Sequence, residues 1–178
     1  MATFTLTCLG DDRPGLVSAL SAPISAHGAS WERSQMARLA GKFAGVLLLE
    51  VADDRAEALA ADLTALKEIG LVVALERTDP PADHVSVRLS LELIGADHPG
   101  IVAEISAALA GQRIGIEELT TDVREAPMAG GMLFEAHAVL EAPPAASLDD
   151  LRAMLEDLAD ELMVEVRLSD VPSGASPG

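Results

Sequence analysis

The chain has 178 residues, of which 49% are apolar and 2% aromatic, and its formal net charge is −17 with only 12 Lys and Arg. No cationic cluster is present, which argues against direct binding to DNA or RNA, because such binding displaces counterions with clustered Lys and Arg. One cysteine excludes an intrachain disulfide, and without a long apolar run or a secretory leader we expect a soluble cytoplasmic protein.

A short motif occurs twice, each time between a predicted strand and a predicted helix. Gly-Asp-Asp-Arg-Pro-Gly occupies 10–15 and Gly-Ala-Asp-His-Pro-Gly occupies 95–100, an offset of 85 positions. Polar and apolar side chains alternate before each copy, at 3–8 and 88–93, with the period of a half-buried strand. The repeat indicates one small unit that is present twice.

Each motif opens a helix with one apolar stripe, and three prolines bear on these helices. Pro14 and Pro99 are expected at the first helical position, where the missing N–H costs nothing. Pro23 is expected to kink or shorten the first helix. The two stripes have the same spacing and consist of Leu16, Leu20 and Ile24 in the first copy and Ile101, Ile105 and Leu109 in the second.

A hairpin, a second helix and a last strand follow in each copy. Gly70 is expected to end the second helix of the first copy, and Ser147 with Asp150 resembles a capping box that begins its counterpart. The predicted strands are 29–40, 43–51 and 71–77 in the first copy and 114–125, 132–141 and 163–168 in the second.

The order of elements is β-α-β-β-α-β, twice, and it predicts an α+β chain of two ferredoxin-like domains in tandem. Each domain has an antiparallel sheet with its helices on one face. We expect the domains at 1–78 and 85–170, a linker at 79–84 stiffened by two prolines, and a disordered tail at 171–178.

The repeated loop is the candidate binding site. The first N–H groups of a helix have no intrahelical acceptor and carry partial positive charge, so they can receive a carboxylate. Gly15 and Gly100 would let a ligand approach closely, and Asp12 and Asp97 could accept from an ammonium. These features suit an α-amino acid. The alternative is a plain turn in which the Asp caps the helix.

Gly10–Val17 resembles the opening signature of ACT domains, which are small ferredoxin-like regulatory modules that often bind amino acids. Residues 36–45, and 116–121 with 126–134, resemble the hairpins of tandem ACT proteins of the glycine cleavage system transcriptional repressor type. The resemblance implies a non-catalytic regulator that senses glycine or a similar amino acid and acts on transcription of amino-acid metabolism genes through a protein partner. The alternative is an amino-acid-binding module that regulates an enzyme.

The resemblance also implies ligand contacts in the loop after the first strand and at the start of the second strand. At the start of the second strand ACT domains often have Asn, whereas this chain has Ser30 in the first copy and Gly115 in the second. His98 matches Arg13, so a helix-end or ligand-facing cation is its expected role. The implied ligand-binding positions are Asp12, Arg13, Gly15, Leu16 and Ser30 in the first copy and Asp97, His98, Gly100, Ile101 and Gly115 in the second.

No catalytic residue, metal ligand or cofactor is predicted. The histidines show no metal-ligand spacing with one another or with Cys8, which is expected to be buried. Glu135 and His137 share one strand face, which is more typical of a polar or interface surface. The two repeats leave no room for a catalytic domain. The expected partners are a small amino acid, a protein and a second copy, because exposed sheet edges need covering; nucleic acid and membrane are not expected.

Overall fold

The structure is a computed structural model that describes residues 1–79, 86–126 and 130–171. The chain divides into two compact units, Met1–Ala82 and Asp83–Gly178. Each unit has the order β-α-β-β-α-β, so the predicted tandem ferredoxin-like fold is confirmed. The predicted linker beyond Asp79 and the predicted tail beyond Val171 lie outside the described residues.

The N-terminal unit has one four-stranded antiparallel sheet with strand order β2-β3-β1-β4. A short 3₁₀ segment, Leu66–Ile69, follows its second helix and ends at Gly70, which adopts a φ of 82°. The elements are β1 (Ala2–Asp11), α1 (Leu16–Ala26), β2 (Ser30–Leu39), β3 (Lys42–Val51), α2 (Ala56–Ala65) and β4 (Leu71–Arg77).

The C-terminal unit repeats this topology with strand order β6-β7-β5-β8. The Ser147 hydroxyl accepts from the Asp150 N–H at 3.2 Å, which confirms the predicted cap. Met163 takes a left-handed φ of 54° after the helix, so the last strand begins one residue later than expected. The elements are β5 (Val87–Ala96), α3 (Ile101–Gly111), β6 (Gly115–Glu125), β7 (Met132–Ala142), α4 (Leu148–Leu162) and β8 (Val164–Asp170).

Both cores are mostly aliphatic, with one buried phenylalanine each, Phe43 and Phe134, and lie between the helices and one sheet face. The predicted stripes of α1 and α3 are buried as expected. Cys8 is buried in the first core, and burial raises the pKa of its thiol, which therefore behaves as a small apolar side chain. The largest fully buried side chains include Leu6, Leu20, Leu47, Leu49, Leu59 and Leu63 in the N-terminal unit and Leu89, Leu91, Leu109 and Leu140 in the C-terminal unit.

The expected position of two helix prolines is wrong, and the expected shortening by the third does not occur. Pro14 and Pro99 precede Gly15 and Gly100, which are the N-cap residues with φ of 93° and 105°. This φ is closed to proline and strained for other L-residues, so glycine takes the cap and the helix begins two residues after the proline. Pro23 does not shorten α1, which has 11 residues like α3. It lies in the last turns, where it removes only one hydrogen bond.

Candidate functional site

The fourth residue of each repeated motif, Arg13 or His98, contacts the C-terminal end of the last helical segment of its unit. This segment is the 3₁₀ segment after α2 in the N-terminal unit and α4 in the C-terminal unit. The Arg13 guanidinium donates to the Ile69 carbonyl, and His98 Nε2 lies 2.9 Å from the Leu162 carbonyl. Ile69 and Leu162 are the last residues of these segments. A cation at a helix C-terminus is stabilised by the partial negative charge of the carbonyls there. Of the two roles expected for His98, the structure therefore supports the helix-end role.

His98 is held between two carbonyl oxygens. Nε2 faces Leu162 O at 2.9 Å and Nδ1 faces Pro99 O at 3.1 Å. A neutral imidazole donates from only one nitrogen, whereas an imidazolium donates from both. The hydrogen bond to Leu162, and then that to Pro99, raises the pKa of His98, with a smaller contribution from the charges of Glu104 and Asp97.

The stability of the C-terminal unit should depend on the charge of His98. Folding raises the pKa of His98, so the protonated imidazole stabilises the folded state. This contribution is fully present below the unfolded pKa of about 6.5 and is lost as pH rises through the folded pKa. We expect His98→Gln to lower the melting temperature most at acidic pH and progressively less at higher pH. Thermal denaturation followed by circular dichroism across this range measures the difference between the two proteins.

Arg13→Gln is the matched control for that measurement. It removes the equivalent contact to the Ile69 carbonyl, but a guanidinium does not titrate in this range. Its effect on the melting temperature should therefore be independent of pH. A pH-independent difference between wild type and His98→Gln would contradict the assignment of an imidazolium at this position.

The backbone holds each loop against the neighbouring hairpin, which leaves the side chains of the two Asp residues available. The Asp12 N–H donates to Gly41 O and the Asp97 N–H donates to Met132 O, both at 2.8 Å. The side chain of Asp12 does not cap α1, because its Oδ2 lies 3.5 Å from Arg38 Nη1. The N-cap glycines offer no side-chain acceptor to the first N–H groups of α1 and α3.

A cavity of about 680 Å³ lies at the loop of the N-terminal unit. Its polar wall consists of Asp12, Arg38 and the first turn of α1, and its apolar wall includes Met36 and Phe43. The Asp12 side chain is 29% exposed and the Arg38 side chain 74% exposed, so both charges are accessible from the cavity mouth. The cavity thus combines an anion for an ammonium, a helix N-terminus for a carboxylate, and an apolar floor.

Four of the five positions expected in the first copy come together at this cavity. Asp12, Arg13, Gly15 and Leu16 line it, although the Arg13 guanidinium is engaged with Ile69. Ser30 does not line it, because it begins β2, whereas the cavity lies beside the other end of that strand.

Arg38 and the apolar floor were not anticipated from the sequence. Arg38 lies one residue before the end of β2. The antiparallel hairpin returns that end to the β1 terminus, where the loop begins. A cation shortly before a two-residue turn is the only sequence signal of this contact, and it is weak.

The loop of the C-terminal unit has its own carboxylate at the helix N-terminus. Glu104 lies in the first turn of α3, and its Oε1 is 3.3 Å from where a Cβ on Gly100 would be. The first turn of α1 contains no acidic residue. A carboxylate at this place interacts favourably with the first N–H groups and repels an incoming anion.

The C-terminal loop also lacks the cation found in its counterpart. Arg38 pairs with Phe43 across the first hairpin, and Val123 pairs with Phe134 at the equivalent position of the second. The nearby cavity is apolar; it is lined by Ile101 but not by Asp97, His98 or Gly100, and Gly115 lies at the distant start of β6. The two loops therefore have equivalent backbone contacts, but the side chains around them differ in charge and polarity.

Glu135 and His137 lie on a charged sheet surface. Arg124 pairs with Glu135 and lowers the pKa of that carboxyl, and His137 Nδ1 lies 3.9 Å from Glu92 Oε1. Within the described ranges, no group of three or more His, Cys, Asp or Glu side chains is arranged to hold a metal ion. Among the helices in those ranges, none has the length and apolar character needed to cross a membrane.

The chain is similar to known proteins over most of its length. The ACT domain model matches residues 2–75 and 88–169. The chain is 24% identical over 160 residues to the glycine cleavage system transcriptional repressor of Escherichia coli K12, covering 88% of this chain and 84% of that protein. The Shigella flexneri protein of the same name matches equally.

Two solved structures have a similar fold over nearly all of the chain. An unknown protein from Galdieria sulphuraria is 26% identical with a TM-score of 0.85, covering 96% of this chain and 98% of that one. The structure of a candidate glycine cleavage system transcriptional repressor is 17% identical with a TM-score of 0.75, covering 96% and 97%. The chain therefore belongs to the ACT domain family and carries two such domains in tandem.

Proposed function

We propose that this protein is a non-catalytic regulator that binds one small α-amino acid, glycine or a close analogue, at the loop of its N-terminal unit. It acts through a protein partner on the transcription of amino-acid metabolism genes. The observation that carries the proposal is the cavity in which Asp12, Arg38 and the α1 N-terminus meet. The similarity to the Escherichia coli repressor over 88% of the chain supports the transcriptional role.

The ligand is held at both ends of its zwitterion. The ammonium donates to Asp12, and the carboxylate accepts from the first N–H groups of α1 and from Arg38, which then leaves its long contact of 3.5 Å with Asp12. Hydrogen bonds to charged groups contribute about 1.5–3 kcal/mol each, and the helix dipole adds about 0.3–1 kcal/mol. The C-terminal loop, with Glu104 over Gly100 and Val123 in place of Arg38, binds no second ligand.

The regulatory output passes through a protein and not through DNA. The net charge of −17 repels a phosphate backbone, whereas it attracts a basic protein surface. We propose that a bound zwitterion, which separates Arg38 from Asp12 without adding net charge, rearranges the charges at the mouth of the cavity and so alters the affinity for the partner. A second copy of the chain is the other partner, as the exposed edge strands suggest.

Calorimetric titration of the full chain with glycine, and with serine and alanine as related ligands, tests the binding step. We expect saturable binding with one ligand per chain. No heat and no thermal shift at millimolar glycine, serine or alanine would contradict the proposal.

Affinity capture from native extract, with and without the ligand, tests the output. Recovery of a transcription regulator whose yield depends on the ligand supports the proposal. Recovery of a metabolic enzyme instead would favour the alternative, in which the protein regulates an enzyme.

A further inference from the structure

The face of the N-terminal sheet that points away from its helices has an apolar patch with polar and charged residues around it. Leu9, Val46 and Val72 lie on the sheet face away from the helices and are 54%, 41% and 62% exposed. Leu48 is half-buried beside them, and Ala44 and Ala74 are exposed. Exposed apolar surface of this kind on a soluble domain marks an interaction site. We call this surface the open face of the N-terminal sheet.

The open face consists of three rows of four residues, fixed by the strand register. The strand pairs place one residue each from β2, β3, β1 and β4 side by side in every row. The rows are Arg33, Leu48, Thr5 and Glu76; Gln35, Val46, Thr7 and Ala74; and Ala37, Ala44, Leu9 and Val72.

The equivalent face of the C-terminal sheet is charged. Ala44 corresponds to Glu135 and Val72 to Glu165 by register, and Ile94 takes the place of Leu9. The same backbone thus tolerates carboxylates at these positions, so the apolar side chains of the N-terminal sheet are not required by the fold. The rows of the C-terminal sheet contain Glu92, Glu118, Asp122, Glu135, Glu165, Arg167 and His137.

We propose that the open face of the N-terminal sheet is where a second copy of this chain docks, sheet face against sheet face. A chain with a net charge of −17 repels its own copies, and self-association is least costly where carboxylates are few. Over their full lengths the four strands span roughly 600 Å², of which the three rows are about half. Because one partner contributes ~800 Å² to a standard interface, we expect the contact to extend along the strands beyond these rows. The inference rests on the proposed function for the second copy as a partner and adds where that copy docks; it is independent of the amino-acid ligand, whose binding is tested separately.

The two charges in these rows indicate the symmetry of the dimer. Arg33 on β2 and Glu76 on β4 stand at opposite ends of one row. Aligned sheet packing keeps the strands of facing sheets within about 30° of each other. A two-fold axis between the sheets and parallel to the strands places β2 of each copy over β4 of the other. Arg33 of each copy then faces Glu76 of the other copy, which gives two equivalent contacts in the dimer. The row is therefore self-complementary in charge.

Sedimentation of the full chain across the micromolar range tests the surface with a matched pair of variants. We expect wild type to dimerise, Val72→Glu to weaken the dimer by at least about 100-fold, and Ile94→Glu to leave it unchanged. Both variants place one new carboxylate on an exposed strand position, and circular dichroism confirms that each is folded. A monomeric wild type, or equal effects of the two substitutions, would overturn the proposal.

Charge reversal tests the symmetry. Arg33→Glu and Glu76→Arg should each weaken dimerisation by about 10-fold, because each places like charges opposite one another twice in the dimer. The double variant restores opposite charges at both contacts and should return within about 3-fold of wild type. Additive losses in the double variant would overturn the proposed arrangement.

Discussion

Asp12→Asn should weaken glycine binding by about 10- to 100-fold, whereas Asp97→Asn should have no effect. The loss corresponds to a charge-assisted hydrogen bond to the ligand ammonium, worth about 1.5–3 kcal/mol. The substitution spares the loop itself, because the Asp12 backbone N–H makes the contact with Gly41 O. Calorimetric titration of the three proteins measures the affinities and the stoichiometry.

The Asp97 variant is a strict control for that experiment. Its backbone N–H makes the equivalent contact with Met132 O, so neither substitution removes the backbone hydrogen bond that holds its loop against the hairpin. Equal losses in both variants, or two ligands per wild-type chain, would show that the loop of the C-terminal unit binds as well. Arg38→Gln adds a second check, since it removes a charge that only the N-terminal loop possesses.

Gly95→Ala should lower the free energy of unfolding of the C-terminal unit by about 2–3 kcal/mol. A Cβ at this position would lie 2.7 Å from Met163 O and 2.7 Å from Val164 Cα. Both atoms belong to the backbone, so relief requires β5 and β8 to separate where they pair. Urea denaturation followed by circular dichroism measures the loss.

Gly111→Ala is the matched control for this second experiment. No heavy atom lies within 4 Å of the Cβ that it would add at the end of α3. We expect no loss there and a gain of up to about 1 kcal/mol, because alanine lowers the conformational entropy of the unfolded chain. A Gly95→Ala variant as stable as wild type would mean that the two strands shift apart at little cost.

The repeat made the fold predictable. An offset of 85 positions relates β1 to β5 and α1 to α3, so each weak local pattern was supported by a second example. The second strand of the N-terminal unit has the least regular pattern of polar and apolar residues. β2 contains a bulge between Trp31 and Arg33, and β6 one between Ile116 and Glu118. A bulge inserts one residue and reverses the alternation, which explains the irregular pattern of β2.

The chemistry of the two loops was less predictable, because it depends on residues distant in sequence. Asp12 meets Arg38 only through the register of a hairpin, and Glu104 reaches back over Gly100 only once α3 has formed. Gly95 lies inside β5, and the closeness of the β8 backbone leaves no room for a side chain there. Ligand contact by the predicted loop residues stays a prediction for titration to test.

The carboxylate of Glu104, close to Gly100 at the start of α3, distinguishes the two halves of the duplication. On the proposal above, only the N-terminal half exchanges a ligand with the surrounding solution. We therefore expect the response of one chain to follow one-site saturation, with no cooperativity between its two halves.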